Sequence, residues 1–236
     1  MAGVVSNRLL GLVLIVALIG AGGRTLWLWL DKPVARIAIR GDLAHIDQHY
    51  LNERLTPLVR GKTWLSVDLN ALKDEASSIS WIKSAEISRR WPSTLVFHLT
   101  EQRPIAYWQD GELLNRDGKA FNMRGVKTAG DLPHLGGPPG SGSEVVSYFE
   151  DLKSTLAPLD MSISQLRLEP RGAWRFQIND NFWVMIGRTD REQRLKRFIA
   201  AWQRDLKNRS SNIRYIDLRY PNGIAVSWHG TSATAG

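Results

Sequence analysis

The sequence predicts an α+β protein: a single N-terminal transmembrane helix, a βααββ layer pair, then a mostly antiparallel β domain with flanking helices. Three observations predict it. Residues 9–23 carry no charge, and no Asp or Glu precedes Asp31. Over residues 34–99, two stretches of helical period lie between stretches of strand period. Beyond residue 103, short alternating runs recur with glycine-containing turn signals between them. The chain has 236 residues, enough for one or two small domains, and is 43% hydrophobic, which excludes a wholly disordered chain or a collagen. Its lack of cysteine excludes a disulfide scaffold, a thiol nucleophile, a Cys-ligated zinc site and an iron–sulfur cluster.

Residues 9–30 would span about 33 Å as a helix, enough for a hydrocarbon core of about 30 Å. Arg24 lies near the far end, where its stem can snorkel, and Trp27 and Trp29 suit the interfacial aromatic belt. A cleaved signal peptide is the rival, because Gly20, Ala21 and Gly22 offer small residues after an apolar run. The Trp27–Leu30 extension favours an anchor. Arg8 before the span orients residues 1–8 to the cytoplasm and the bulk of the chain outside it.

The first unit begins with a strand at 34–40, in which Ala35, Ile37 and Ile39 alternate with Arg36, Ala38 and Arg40. Asp47 is a candidate N-cap for a helix with Leu51, Leu55, Leu58 and Val59 on one face, which Pro57 should kink or end early. Asp68 should cap a second helix carrying Leu69, Leu72, Ala76 and Ile79. Two strands follow, with Ala85 and Ile87 inward in one and Leu95, Phe97 and Leu99 inward in the other, joined at Trp91, Pro92 and Ser93. This order gives a three-stranded sheet with both helices on one face.

The second unit opens near Arg103 and Pro104. Asp110-Gly111 and Asp117-Gly118 are hairpin signals. Ser141 with Glu144 is a candidate capping box for a helix burying Val145, Phe149, Leu152 and Leu156, stopped by Pro158. Residues 174–179 and 182–187 should pair across Asp180 and Asn181. Thr189 with Glu192 is a second candidate box, before a helix with Leu195, Phe198, Ile199, Trp202 and Leu206 on one stripe. The other face of that helix carries Arg191, Arg194, Lys196, Arg197 and Arg204, either a solvated face or a surface for an acidic segment. Finally, 214–220 and 224–229 should pair across Pro221, Asn222 and Gly223, where Asn-Gly suits a type I′ turn, and 231–236 reads as a tail.

Catalytic chemistry finds little support. His45 and His49 are four apart but lack a third ligand nearby, and His98 points outward by pattern. No GxSxG elbow, GxGxxG loop or GxxxxGK[ST] loop occurs. The net charge of +8 is moderate, and the basic helix has a strongly apolar reverse face, so nucleic acid is not an expected partner. No cofactor is expected. Among the ten tryptophans, most outside the span should be core, with one or two able to anchor a partner.

A set of ordered motifs runs through the chain. They include Trp64-Leu65-Ser66-Val67-Asp68-Leu69, Trp81-Ile82, Arg89-Arg90-Trp91-Pro92-Ser93-Thr94-Leu95 and Glu101-Gln102-Arg103-Pro104-Ile105-Ala106-Tyr107-Trp108. Further on come Asn115-Arg116-Asp117-Gly118, Leu132-Pro133-His134-Leu135, Arg171-Gly172-Ala173-Trp174, Leu195-Lys196-Arg197-Phe198 and Ile216-Asp217-Leu218-Arg219-Tyr220-Pro221-Asn222-Gly223. In order and spacing they resemble the FtsQ/DivIB family of bacterial cell-division proteins, most closely its proteobacterial members. The resemblance implies a single-pass protein of the inner membrane at the division septum. It implies a periplasmic POTRA domain at 33–102 and a β domain at 103–230. It also implies a non-catalytic hub of the divisome that binds FtsB and FtsL, links early to late septal proteins, and has its FtsB surface on the last strands and nearby helix. The expected cytoplasmic tail is shorter than in many relatives. The alternative is a POTRA-containing accessory of outer-membrane assembly or secretion, although such proteins carry several repeats or a barrel and no internal repeat is seen here.

The terminal hairpin is the expected partner site. Its last strand has no successor, and Ile224, Val226 and Trp228 alternate with Ala225 and Ser227 without Lys or Glu, so an edge open to strand addition is expected. Tyr220 and Trp228 are candidate aromatic anchors or, alternatively, core side chains. Arg171 and Arg219 are candidate cations for acidic groups, and Asn222 and Gly223 should hold the turn. The first strand edge at Arg36, Ala38 and Arg40, and the helix from Asp47, are candidate surfaces for other membrane-anchored division proteins.

Overall fold

The computed structural model describes residues 2–122 and 130–230. The chain divides into two compact units, Met1–Glu101 and Gln102–Gly236. Its architecture is the expected α+β one. The C-terminal stretch expected as a tail, 231–236, lies outside the described residues.

In the first unit, α1 (Ala2–Leu30) is one continuous helix that includes the apolar segment Gly11–Leu30, long and apolar enough to cross a membrane. It extends further towards the N-terminus than residue 9. Strand β1 (Arg36–Arg40) is followed by α2 (Gln48–Val59), α3 (Leu69–Ser77), β2 (Ile82–Arg90) and β3 (Thr94–Glu101). The sheet order is β1-β3-β2, with β1 parallel and β2 antiparallel to β3. The Asp47 carboxylate accepts from the His49 N–H, and that of Asp68 from those of Asn70 and Ala71, so both expected caps are made. Pro57 does not end α2 early, because burial of Leu55 and Val59 on either side of it carries the helix on to Val59. Helix α3 packs on β2, and α2 on α3. Leu95, Phe97 and Leu99 are buried while His98 and Thr100 are exposed, the alternation the sequence carries; Val96, expected outward, is buried as well.

One side chain closes this unit. Glu101, buried at the end of β3, accepts from three successive N–H groups, of Ala44 at 2.8 Å, His45 at 2.9 Å and Ile46 at 2.8 Å. The loop between β1 and α2 thereby has its donors satisfied by one carboxylate.

The second unit holds a nine-stranded sheet in the order β12-β11-β10-β9-β8-β7-β4-β5-β6. The strands are β4 (Pro104–Trp108), β5 (Glu112–Asn115), β6 (Ala120–Phe121), β7 (His134–Gly136), β8 (Ile163–Leu168), β9 (Trp174–Ile178), β10 (Phe182–Gly187), β11 (Ile213–Asp217) and β12 (Ala225–Trp228). Most pairings are antiparallel, but β4 with β7, β7 with β8, and β10 with β11 are parallel. The β10–β11 pair is parallel because a helix crosses between them, α5 (Arg191–Arg204), as parallel neighbours require. Helix α4 (Gly142–Leu156) packs on β7 and β8, and α5 on β10. Their stripes, Val145, Phe149, Leu152 and Leu156 from α4 and Leu195, Phe198 and Trp202 from α5, enter one core with Leu166, Phe176, Ile178, Val184 and Ile216 of the sheet.

Three local expectations are corrected. Ser141 does precede α4, but its hydroxyl donates to the Pro138 carbonyl at 2.7 Å and caps nothing. Asp190, with φ 53°, takes the N-cap position of α5 in place of Thr189, and Glu192 pairs with Lys196 at 2.6 Å. The terminal hairpin has no tight turn. β11 ends at Asp217 and β12 begins at Ala225, while neither Asn222 nor Gly223 has the positive φ a type I′ turn needs. Tyr220 and Ile224 therefore lie in a long connection and not in the strands.

Candidate functional site

The connection between β11 and β12 is built from an ion pair outward. Asp217 ends β11 with its carboxylate only 8% exposed. It accepts from the Arg219 N–H and Nε at 2.9 Å and from Arg219 Nη2 at 2.6 Å. The guanidinium two residues on thus closes a small ring that turns the chain out of the strand. That hydrogen bonding outweighs the cost of burial and holds the Asp217 carboxyl below its ordinary range; Arg194 adds to it through space. Arg219 is in turn held more firmly protonated by Asp217.

Of two arginines on α5, Arg194 ties the helix to β10 and Arg197 holds the connection in place. Arg194 donates through Nη1 to the Ile186 carbonyl at 2.8 Å. Arg197 donates through Nη2 to the Tyr220 carbonyl at 3.1 Å and through Nη1 to the Pro221 carbonyl. Arg194 and Arg219 pass directly over Gly187, whose φ is 82°; a Cβ there would stand 2.6 Å from Arg194 Nη1 and 3.1 Å from Arg219 Cγ. The left-handed conformation favours glycine at that point, and a side chain there would also push the Arg194 guanidinium aside. A cleft of about 580 Å³ between α5 and the connection is lined by Asp190, Gln193, Arg194, Arg197, Pro221 and Asn222. A smaller one of about 340 Å³ lies between Ile224 and the end of α5.

The connection presents Tyr220, which is 56% exposed. Ile224, Val226 and Trp228 are half-buried against the core, so the alternation of the last strand turns them inward and Ala225 and Ser227 to the other face. Trp228 also lies under the Arg209 guanidinium, 4.2 Å from its ring centre. β12 pairs antiparallel with β11, Ile216 opposite Val226 and Asp217 opposite Ala225, and is the terminal strand of the sheet. Asn222 and Gly223 sit in the connection beside Pro221.

Arg171 stands apart. It is exposed on the turn between β8 and β9, at the sheet end where β10 and β11 also finish, with β9 and β10 between it and the terminal pair. The structure thus brings together Arg219, Tyr220, Asn222, Gly223, Ile224, Val226 and Trp228. It adds Asp217, Arg194 and Arg197, which sequence reasoning did not single out. The two arginines were legible only as members of a basic helix face. Arg191 on that face is also engaged, stacked 4.6 Å from the Tyr148 ring centre and 5.5 Å from that of Trp174.

The two histidines four residues apart have different partners. His45 stacks on Trp81 with ring centres 5.7 Å apart, and His49 pairs with Glu53 at 3.2 Å. Among the described residues, no three His, Cys, Asp or Glu side chains come together as metal ligands.

Comparison with known proteins agrees with this architecture in both units. Residues 32–102 match the family model for the FtsQ-type POTRA domain, and residues 106–219 match that for the C-terminal part of the cell division protein FtsQ/DivIB. The chain is similar to the cell division protein FtsQ of Allochromatium vinosum, with 34% identity over 94% of this chain and 89% of the relative. It is 32% identical to that of Hahella chejuensis over 85% of this chain and 71% of the relative. To that of Vibrio cholerae it is 31% identical over 86% and 78%. Two family models in the order of the two folding units, and similarity to these relatives over most of the chain, lead to one conclusion: the chain belongs to the FtsQ/DivIB family of bacterial cell-division proteins.

Proposed function

We propose that this protein is a non-catalytic scaffold of the divisome that binds FtsB and FtsL through its β domain, takes a strand of FtsB onto β12, and links early to late septal proteins. Residues 1–8 face the cytoplasm, 9–30 cross the inner membrane, and 33–102 and 103–230 are periplasmic POTRA and β domains. The observation that carries the reading is the terminal position of β12 beside the exposed Tyr220. Residues 224–228 hold no charged side chain to oppose a new strand. Strand addition takes its affinity from main-chain bonds and its specificity from flanking side chains. Tyr220 is the aromatic anchor at one end of that ladder. Trp228 shapes the other end under Arg209. Arg219 offers the edge of a guanidinium already oriented by Asp217, and Arg171 a second cation further along the same sheet end.

The test is the affinity of the full chain in nanodiscs for a periplasmic segment of FtsB. Tyr220→Ala should weaken it about thirtyfold, the loss of about 2 kcal/mol typical of an aromatic anchor. Its melting temperature should match wild type, since the ring is exposed. Unchanged affinity in the folded variant would remove Tyr220 from the site. A large loss of stability would assign the ring to packing instead.

A further inference from the structure

We infer that the membrane-proximal end of the POTRA unit is a lipid-contact surface, with Trp91 and the cations around it seated on anionic phospholipid headgroups of the leaflet from which α1 emerges. The inference rests on the reading of α1 as a membrane anchor. It begins with the join between them. No free linker follows the helix. The Asp31 carboxylate accepts from the Leu65 N–H at 2.9 Å, the Lys32 carbonyl from the Trp64 N–H at 2.7 Å, and Val34 donates to the Lys62 carbonyl at 3.0 Å. Pro33 bridges to Thr63. Four consecutive residues after α1 are thus fastened to the loop between α2 and α3, which fixes the sheet relative to the helix end.

That join brings two tryptophans to one lysine. Lys32 Nζ lies 5.5 Å from the ring centre of Trp29, in the last turn of α1, and 6.0 Å from that of Trp91. Trp29 belongs to the segment expected at the headgroups, and Trp91 flanks the same lysine, which brings it near that level. Trp91 is 58% exposed, a large apolar area to leave in water and the side chain that most favours a bilayer interface.

The surroundings are cationic. Arg36 and Arg90 lie on either side of Thr94, the first residue of β3, at the sheet end from which the Trp91 turn projects. Both are exposed, as is Lys62. Arg89 is committed elsewhere, donating to the carbonyls of Trp64, Leu65 and Val67, and so stiffens the loop that receives Lys32. The nearby acids, Asp31 and Asp68, both spend their carboxylates on backbone N–H groups. Continuity with the span, the lysine that Trp91 shares with Trp29 and the excess of positive charge single out a lipid surface as the occupant.

Because the chain has no cysteine, one introduced thiol reports one position. Full-length Trp91→Cys, labelled with an environment-sensitive fluorophore, is reconstituted in phosphatidylcholine vesicles with about 30% phosphatidylglycerol, a strongly anionic surface. Quenching by headgroup-level spin-labelled lipid should reach position 91, while the exposed Thr100→Cys at the opposite end of the sheet stays unquenched. Adding Arg36→Glu and Arg90→Glu should reduce the docked fraction at least fivefold, the effect of about one lost basic contact with an anionic surface. Leu18→Cys, read with lipid spin-labelled deep in its acyl chain, reports the anchor separately. A quenched label at 18 with an unquenched one at 91 overturns the inference and leaves the anchor intact. An unquenched label at 18 overturns both. Quenching at 91 that is equal in pure phosphatidylcholine and indifferent to the arginine reversals overturns the assignment to anionic headgroups, as does occlusion of position 91 by an envelope protein in cells.

Discussion

At the residue scale, single side chains bear structural tasks that their neighbours in sequence do not announce. Glu101 satisfies three N–H donors at once from a buried position. Glu101→Leu would remove all three acceptors, and leaving even one buried donor unsatisfied costs about 1–3 kcal/mol. The variant should therefore be destabilised by at least about 2 kcal/mol, read as a lower midpoint in denaturant with an unchanged slope. Asp217 makes a different prediction. Its folded carboxyl titrates below the ordinary value near 3.9, so the ion pair stabilises the protein fully above that pH and stops doing so as the pH falls through the folded value. Because the Arg219 side chain is 62% exposed, the effect is modest, about 1 kcal/mol. Asp217→Asn should melt below wild type at pH 7, and the two curves should converge as the pH drops below about 4. A gap that persists into that acid range would assign the cost to lost hydrogen-bond geometry and not to charge.

At the scale of elements, the parts legible in the sequence are those set by short-range periodicity and capping. The Asp47 and Asp68 caps, the buried stripes of α4 and α5, and the hairpin across Asp180 and Asn181 all depend on residues close in the chain. The terminal hairpin departs from its sequence pattern at the turn, since Asn222-Gly223 carries a strong local signal that tertiary contacts override. Arg197 reaches the Tyr220 and Pro221 carbonyls from another element, and Asp217 chelates Arg219, so the chain leaves the strand early. No local pattern encodes a guanidinium arriving from 23 residues away. The parallel pairing of β10 with β11 is hidden for a similar reason, because it depends on where α5 lands and not on either strand. Arg197→Ala should free the connection while the sheet stays intact. Amide hydrogen exchange should then rise by about tenfold or more at Arg219, whose N–H donates to Asp217, the loss of roughly 1.4 kcal/mol in local opening, with protection of β10 unchanged. Uniform loss of protection across β10 and β11 would mean that Arg197 supports the core instead.

At the scale of the whole molecule, the apolar helix is expected to stay on the mature chain. A signal peptidase needs an extended substrate, whereas Gly20, Ala21, Gly22 and Gly23 lie inside a helix that runs unbroken to Leu30. Helix-weakening glycines would be a liability in water. In a bilayer they are tolerated, because an unpaired backbone group there costs several kcal/mol and the helix is the only local way to pair it. The end of the helix matters as much. Cleavage near Gly22 would leave Trp27 and Trp29, both more than half exposed, on a soluble protein, and the Asp31 and Lys32 bonds to Leu65 and Trp64 would hold that apolar stub against the folded domain. An uncleaved anchor makes sense of all these features together. Protein extracted from membranes by detergent should have an intact mass that includes residues 9–30, and alkaline carbonate should fail to release it. A mature chain beginning near Gly22 or Gly23, recovered from the soluble periplasmic fraction, would overturn the anchor and with it the proposed seating of the POTRA unit on the bilayer.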